Sequence, residues 1–278
     1  MLRRPSFSTG VVMRGMMLFA GVALLAGAAA CNDNGITAGA GETPTPIESA
    51  TTPPATPTPV PCQFYGIDSA SNLWIIDPVA ITAHTVGATG VASMTDIAIT
   101  PDDRIIGITK TKAYEIDPSN AHATEIASSA WLTNQDALDA LPDGRLLVGG
   151  DADLVAVDLS TGAKENVGSI SGGRVFSGDV AAEGTGTALG SAKVTSGTAN
   201  DHLVSFNVAT HAVNDLGDLG YPKVFGLDYG CDGNLYGMVA QTPPLLLKVN
   251  PVSGATTLLG TMTGGPTTLW GAAGPAGN

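Results

Sequence analysis

The amino-acid sequence predicts an all-β fold, a five-bladed β-propeller whose last blade is completed by an N-terminal strand. Three observations carry this. The segments LWIIDP, AYEIDP, LVAVDL, LVSFNV and LLKVNP put Asp77, Asp117, Asp158, Asn207 and Asn250 in register, separated by 40, 41, 49 and 43 residues, within the period of about 40–50 residues typical of propeller blades. A turn after each inner strand falls at Pro101, Pro142, Glu183, Cys231 and Pro275, at separations of 41, 41, 48 and 44. Finally, no strand follows the last of these turns before Asn278, whereas QFYGID at Gln63–Asp68 has no inner strand ahead of it and matches NLYGMV at Asn234–Val239 and RIIGIT at Arg104–Thr109. Each end supplies what the other lacks.

In chain order, residues 1–30 stand outside this fold. Arg3, Arg4 and Arg14 precede or open an apolar run from Gly15 to Ala30, 16 residues long, which is shorter than the roughly 20 needed to span a bilayer and has the make-up of a secretory signal. The run ends LLAGAAAC, with small residues directly before Cys31. It resembles the lipobox of bacterial lipoproteins, departing from it at Ala28, where that family usually has Leu. The resemblance implies cleavage before Cys31 and an acyl chain such as palmitate on it. An ordinary secretory peptide with an incidental cysteine is the alternative. Asn32 is not the Asp that acts as an inner-membrane retention signal in some bacteria, so an outer-membrane anchor is expected.

Residues 31–61 read as a linker. Positions 32–61 hold seven prolines and seven threonines with hardly a large apolar side chain, so no core can form there. Such composition favours an extended stalk of about 3.1 Å per residue, giving a reach of up to about 90 Å.

The remaining stretch, 62–278, suffices for one all-β domain. In one repeat, Thr95–Thr100 is the inner strand a, Arg104–Thr109 is b, Ala113–Asp117 is c and Ala123–Ala127 is d. Strands b and c are rich in Ile, Leu, Val and Tyr. Gly66, Gly107 and Gly237 fall where backbones approach closely, and Gly87, Gly168, Gly217 and Gly260 fall where the chain is expected to leave one blade for the next. The aspartates of the IDP segments suit turns, since an Asp carboxylate accepts from the backbone two residues on. An open sandwich is the rival architecture. Six or more blades would require repeats that are not in the sequence. These IDPxTG and PDGxLYG patterns resemble the YVTN and NHL-like propeller lipoproteins over the whole globular stretch, a likeness that implies fold and says little about function.

Cys62 and Cys231 remain after Cys31. In an exported chain pairing is the default, and both fall in the same kind of turn on neighbouring blades, so a disulfide stapling the closing strand is expected. Loss of the three leader arginines takes the 12 Lys and Arg to nine against 25 Asp and Glu, a net formal charge of −16. That excludes nucleic acid and an anionic lipid face as partners.

No P-loop, GxSxG elbow or HExxH is present. His84, His122 and His211 lie at outer turns and His202 opens a strand c, so they do not converge on a metal. Asp96, Asp136, Asp139, Asp179 and Asp228 lie on or beside inner strands, where some five-bladed propellers place glycosidase carboxylates. Asp139 and Asp228 share a repeat position, which favours a structural role such as bonding the next blade. A ligand would sit at the channel mouth, whose loops carry Trp131, Asp136, Arg174, Tyr221, Lys223 and Trp270, together with the polar excursion Ser191–Asp201. The function expected is therefore an exported, lipid-anchored propeller acting as a monomeric binding or scaffold module at the cell envelope, with a protein or glycan partner, no catalytic residue, no metal and no cofactor. A periplasmic or surface hydrolase of glycosidase or lactonase type is the alternative. A lectin with one site per blade fits less well, because aromatic residues do not recur at an equivalent loop position.

Overall fold

A computed structural model describes residues 62–127, 131, 133–184, 186–197 and 199–275. The leader, Cys31 and the linker lie outside the described residues. Twenty strands form five antiparallel sheets of four. Blade 1 joins β20 (Leu269–Ala273) to β1 (Phe64–Asp68), β2 (Asn72–Asp77) and β3 (Thr82–Ala88). Blade 2 contains β4 (Asp96–Ile99), β5 (Ile105–Ile108), β6 (Ala113–Ile116) and β7 (Ala123–Ala127), and blade 3 contains β8 (Gln135–Ala140), β9 (Leu146–Gly150), β10 (Asp153–Val157) and β11 (Lys164–Ser169). Blade 4 runs β12 (Arg174–Glu183), β13 (Thr187–Val194), β14 (His202–Asn207) and β15 (Val213–Asp218); blade 5 runs β16 (Val224–Tyr229), β17 (Leu235–Val239), β18 (Leu245–Val249) and β19 (Thr256–Thr261). The inner strands β4, β8, β12, β16 and β20 contact one another in that cyclic order.

Closure is by the N-terminal strand. Tyr65 pairs with Ala273, Gly66 with Ala272 and Ile67 with Gly271. Cys62 and Cys231 form a disulfide with Cα atoms 5.5 Å apart, tying the start of β1 to the turn after β16. Five apolar clusters fill the five spaces between adjacent blades. The cluster at the seam contains Phe64, Tyr236, Met238, Leu246, Met262 and Leu269, with Phe64 edge-on to Tyr236 at 5.4 Å. The middle strand β5 is buried along its whole length and β9 likewise. Each buried Ile, Leu or Val there contributes about 1.5–3 kcal/mol. Outer strands such as β7 are mostly exposed.

The repeated acidic and amide residues are turn formers. Asp77 accepts from the amides of Val79 and Ala80, Asp117 from Ser119, Asp158 from Ser160 and Thr161, Asn207 from Ala209 and Thr210, and Asn250 from Val252 and Ser253.

Two expectations need correction. Gly87, Gly168, Gly217 and Gly260 do not mark the crossover between blades. Each sits in an outer strand beside a register shift that leaves Val86, Val167, Leu216 or Leu259 as an extra residue; Ala127 takes the same place in β7, beside Ile126. Such bulges twist and interrupt an exposed edge, which hinders further strand pairing. Gly217 adopts φ 141° and a Cβ there would lie 2.5 Å from the Ser253 carbonyl oxygen, so glycine is required at that bulge. The polar excursion of blade 4 is also shorter than expected, because β13 continues to Val194 and Ser191 is buried within it.

Candidate functional site at the channel mouth

The inner strands carry four buried aspartates towards the channel axis. Asp96, Asp139, Asp179 and Asp228 each accept the amide of the following residue on Oδ1. On Oδ2 each accepts an amide from the next inner strand: Leu138 to Asp96 at 2.8 Å, Ala182 to Asp139, Leu227 to Asp179 at 2.7 Å and Gly274 to Asp228. These carboxylates therefore lace the blades together, as the shared position of Asp139 and Asp228 implied. The fifth inner strand carries none. Its Gly271 leaves the space that the Asp96 carboxylate occupies, since a Cβ there would lie 1.8 Å from Oδ1.

Burial raises the pKa of all four. Asp96 is held well above the ordinary carboxylate value by desolvation, then by the charge of Asp179, and Asp179 is raised likewise by desolvation. Asp139 is raised by desolvation and the charge of Asp228. Asp228 is raised by desolvation to about 7, against the amides of Gly274 and Tyr229, which favour its charged form.

Above these carboxylates, a cavity of about 200 Å³ opens at the mouth. Its lip carries Thr95, directly before β4, and Asp136, Ser177, Phe225 and Trp270 from the other four inner strands, and Lys110 and Lys193 complete the wall. Blades 5 and 1 supply an aromatic half and blades 2 to 4 a polar half. The two lysines come from equivalent places, each three residues after a middle-strand glycine, Gly107 or Gly190. Lys110 Nζ lies 3.6 Å from Asp136 Oδ2 and donates to the Asn134 carbonyl at 3.2 Å. Lys193 Nζ donates a long 3.5 Å bond to the Ser177 carbonyl and stands 5.9 Å over the Phe225 ring. Burial raises the Asp136 pKa against the opposing charges of Lys110 and Lys193, and its Oδ1 is buried with no hydrogen-bond donor.

Of the six residues assigned to the mouth from sequence, the structure brings Asp136 and Trp270 together there. Trp131 is 5% exposed and packs in the apolar layer between blades 2 and 3. Arg174 turns outward, with Nη2 2.9 Å from His202 Nε2 and Nε 3.6 Å from Asp215. Tyr221 and Lys223 lie in the loop before β16, where their carbonyls accept the amides of Asp201 and Ala240 and the Tyr221 ring borders the layer between blades 4 and 5. Thr95, Lys110, Ser177, Lys193 and Phe225 were missed. The matched offset of Lys110 and Lys193 from their glycines was the signal available for two of them.

A wider depression of about 550 Å³ on the side of blade 2 is lined by Arg104, Glu115, Asp117 and His122, but Arg104 there already pairs with Asp102 and Glu115. Among the described residues no group of three His, Cys, Asp or Glu is placed to hold a metal.

No protein-family model and no curated protein matches the sequence significantly. Among solved structures, the chain is similar to one in the crystal structure of a nidogen/laminin complex, at 12% identity and TM-score 0.52 over 77% of this chain and 81% of that one. It is also similar to TolB from Acinetobacter baumannii, at 17% identity and TM-score 0.45 over 76% of this chain and 65% of that one. A puromycin hydrolase resembles it at 14% identity and TM-score 0.42, over 74% of this chain and 36% of that one. At these identities the nidogen/laminin likeness concerns the fold alone, and the two weaker ones bear on nothing further. The repeat resemblance is thus borne out as a five-bladed propeller.

Proposed function

We propose that the protein is an exported, lipid-anchored binding module of the bacterial cell envelope, probing its surroundings with the channel mouth. The observation that carries this reading is the lip itself. Four positions in equivalent register hold Thr95, Asp136, Phe225 and Trp270, with Ser177 one residue before the fifth, where the fold demands no such variety and a concave, mixed aromatic and charged cavity is what a ligand site requires. The ligand is free or is presented by a protein or glycan partner. Cys62 is joined to the turn after β16, at the end of the channel opposite Phe225 and Trp270. The hydrolytic alternative gains no support from the mouth, because Asp96, Asp179 and Asp201 are held by backbone amides and Asp136 stands without a free carboxylate partner.

The test is a thermal-shift titration of the full chain in detergent with sugars, carboxylates, amines, phosphate esters and amino acids. At least one class is expected to raise Tm by about 5 °C or more at a hundredfold excess over its Kd, and Trp270→Ala is expected to weaken that response. A panel that leaves Tm unmoved overturns the mouth as a ligand site. Anchoring is tested separately: Cys31→Ser is expected to move the protein from the membrane to the soluble fraction and remove acyl mass from its N-terminus. An unchanged distribution rejects the anchor.

A further inference from the structure

The class of ligand follows from which groups at the mouth are still open, and this step rests on the reading of the mouth as a binding site. Ser177 Oγ is already committed, donating to Asp201 Oδ2 at 2.5 Å, and Thr95 Oγ1 donates to the carbonyls of Ile108 and Gln135. Two groups are left. Asp136 Oδ1 is a buried acceptor without a donor, while Lys110 serves the other oxygen of that carboxylate. Lys193 has its one long bond to a carbonyl and forms no ion pair among the described residues, although Asp136 and Asp201 both feel its charge. A buried acceptor seeks an N–H or O–H, and an ammonium seeks an anion.

We propose that the mouth binds a small α-amino acid with an apolar side chain, its ammonium on Asp136 Oδ1, its carboxylate on Lys193 Nζ and its side chain against Phe225 and Trp270. A neutral sugar offers donors to Asp136 and no charge to Lys193. A carboxylate or phosphate without an amine brings negative charge towards Asp136, and an amine alone leaves Lys193 unmet. Only a molecule carrying both groups on neighbouring atoms satisfies both sides. The cavity of about 200 Å³ is below the range of about 300–1,000 Å³ that drug-sized ligands occupy, so the occupant is small. The aromatic half selects for an apolar side chain over a charged one.

Isothermal calorimetry on the full chain tests this with L-phenylalanine and L-leucine, against N-acetyl-L-phenylalanine, which lacks the ammonium, phenethylamine, which lacks the carboxylate, and glucose. The amino acids are expected to bind at least tenfold more tightly than any of the three. Lys193→Met is expected to weaken L-phenylalanine at least tenfold without weakening phenethylamine, and Asp136→Asn to weaken it similarly without weakening N-acetyl-L-phenylalanine, since each variant removes the charge that repels the singly charged analogue. A misfolded variant would not give this crossed pattern. If an analogue with one charge binds as well as the amino acid, or if glucose or phosphate esters bind at the mouth and amino acids do not, the inference is overturned and the binding-module reading stands. If nothing in either panel binds, both fall together.

Discussion

Acidifying the protein from pH 8 to pH 5 is expected to raise its melting temperature by about 5–10 °C. The four axial aspartates are the reason. Asp228 is raised by burial from the ordinary carboxylate value of 3.8 to about 7, so between those values the folded chain binds a proton that the unfolded chain does not. Stability is then fully present below the unfolded pKa and is lost as pH rises through about 7. Over pH 5 to 7 this one group contributes about 2–3 kcal/mol, and about 1 kcal/mol moves Tm by about 2–4 °C in a domain of this size. Asp96, Asp139 and Asp179 shift in the same direction. The formal charge of −13 also relaxes on acidification, and Asp228→Asn separates the two effects. The amide has no proton to exchange, so the variant's slope between pH 5 and 8 is expected to be flatter. At pH 5 it should be less stable than wild type by about 1–3 kcal/mol, because its NH2 cannot accept one of the amides from Tyr229 and Gly274. Calorimetric melts of both proteins across that range decide it, and a wild-type Tm that falls on acidification would show that these carboxyls are charged in the fold.

Opening the ring is expected to cost as much. Phe64→Ala removes a fully buried ring from the seam between blades 5 and 1, at about 3–5 kcal/mol. Cys62→Ser releases a disulfide spanning 169 residues, for which the loop-entropy estimate is about 5 kcal/mol and losses of about 2–5 kcal/mol are typical. The two changes act on the same seam and so should couple. A double variant is expected to lose cooperative unfolding in guanidinium, with β20 left unpaired. Midpoints that barely move in either single variant would mean that closure by β1 contributes little to the fold.

The blade count and the closing strand were legible because spacing is a property of the chain and survives any change of side chain. The Asp and Asn ladder was equally plain, since a turn of fixed length needs its acceptor at a fixed place. Asp96 and Asp179 were harder. They lace the blades as Asp139 and Asp228 do, but each directly precedes the inner-strand residue that pairs with the middle-strand glycine, Gly107 or Gly190, whereas Asp139 and Asp228 directly follow the equivalent residues Leu138 and Leu227, so alignment of repeats hides the common role. Trp131 illustrates a different obstacle. Its loop has no period, and only packing determines that the ring enters the layer between blades instead of the channel. The outer-strand glycines were read as crossover residues, whereas each sits beside a bulge, and a bulge is one extra residue that leaves no composition signal of its own. Lys110 and Lys193 were countable from their glycines, yet their meaning depends on Asp136 and Phe225 lying opposite, a relation between blades that no single repeat contains.

The link between Cys62 and Cys231 also decides how the domain bears load. Tension applied to the chain at Cys62 would, without the bridge, peel β1 from its neighbours one hydrogen bond at a time. With it, traction passes through a covalent bond into the turn of blade 5, and the seam is spared mechanical unzipping.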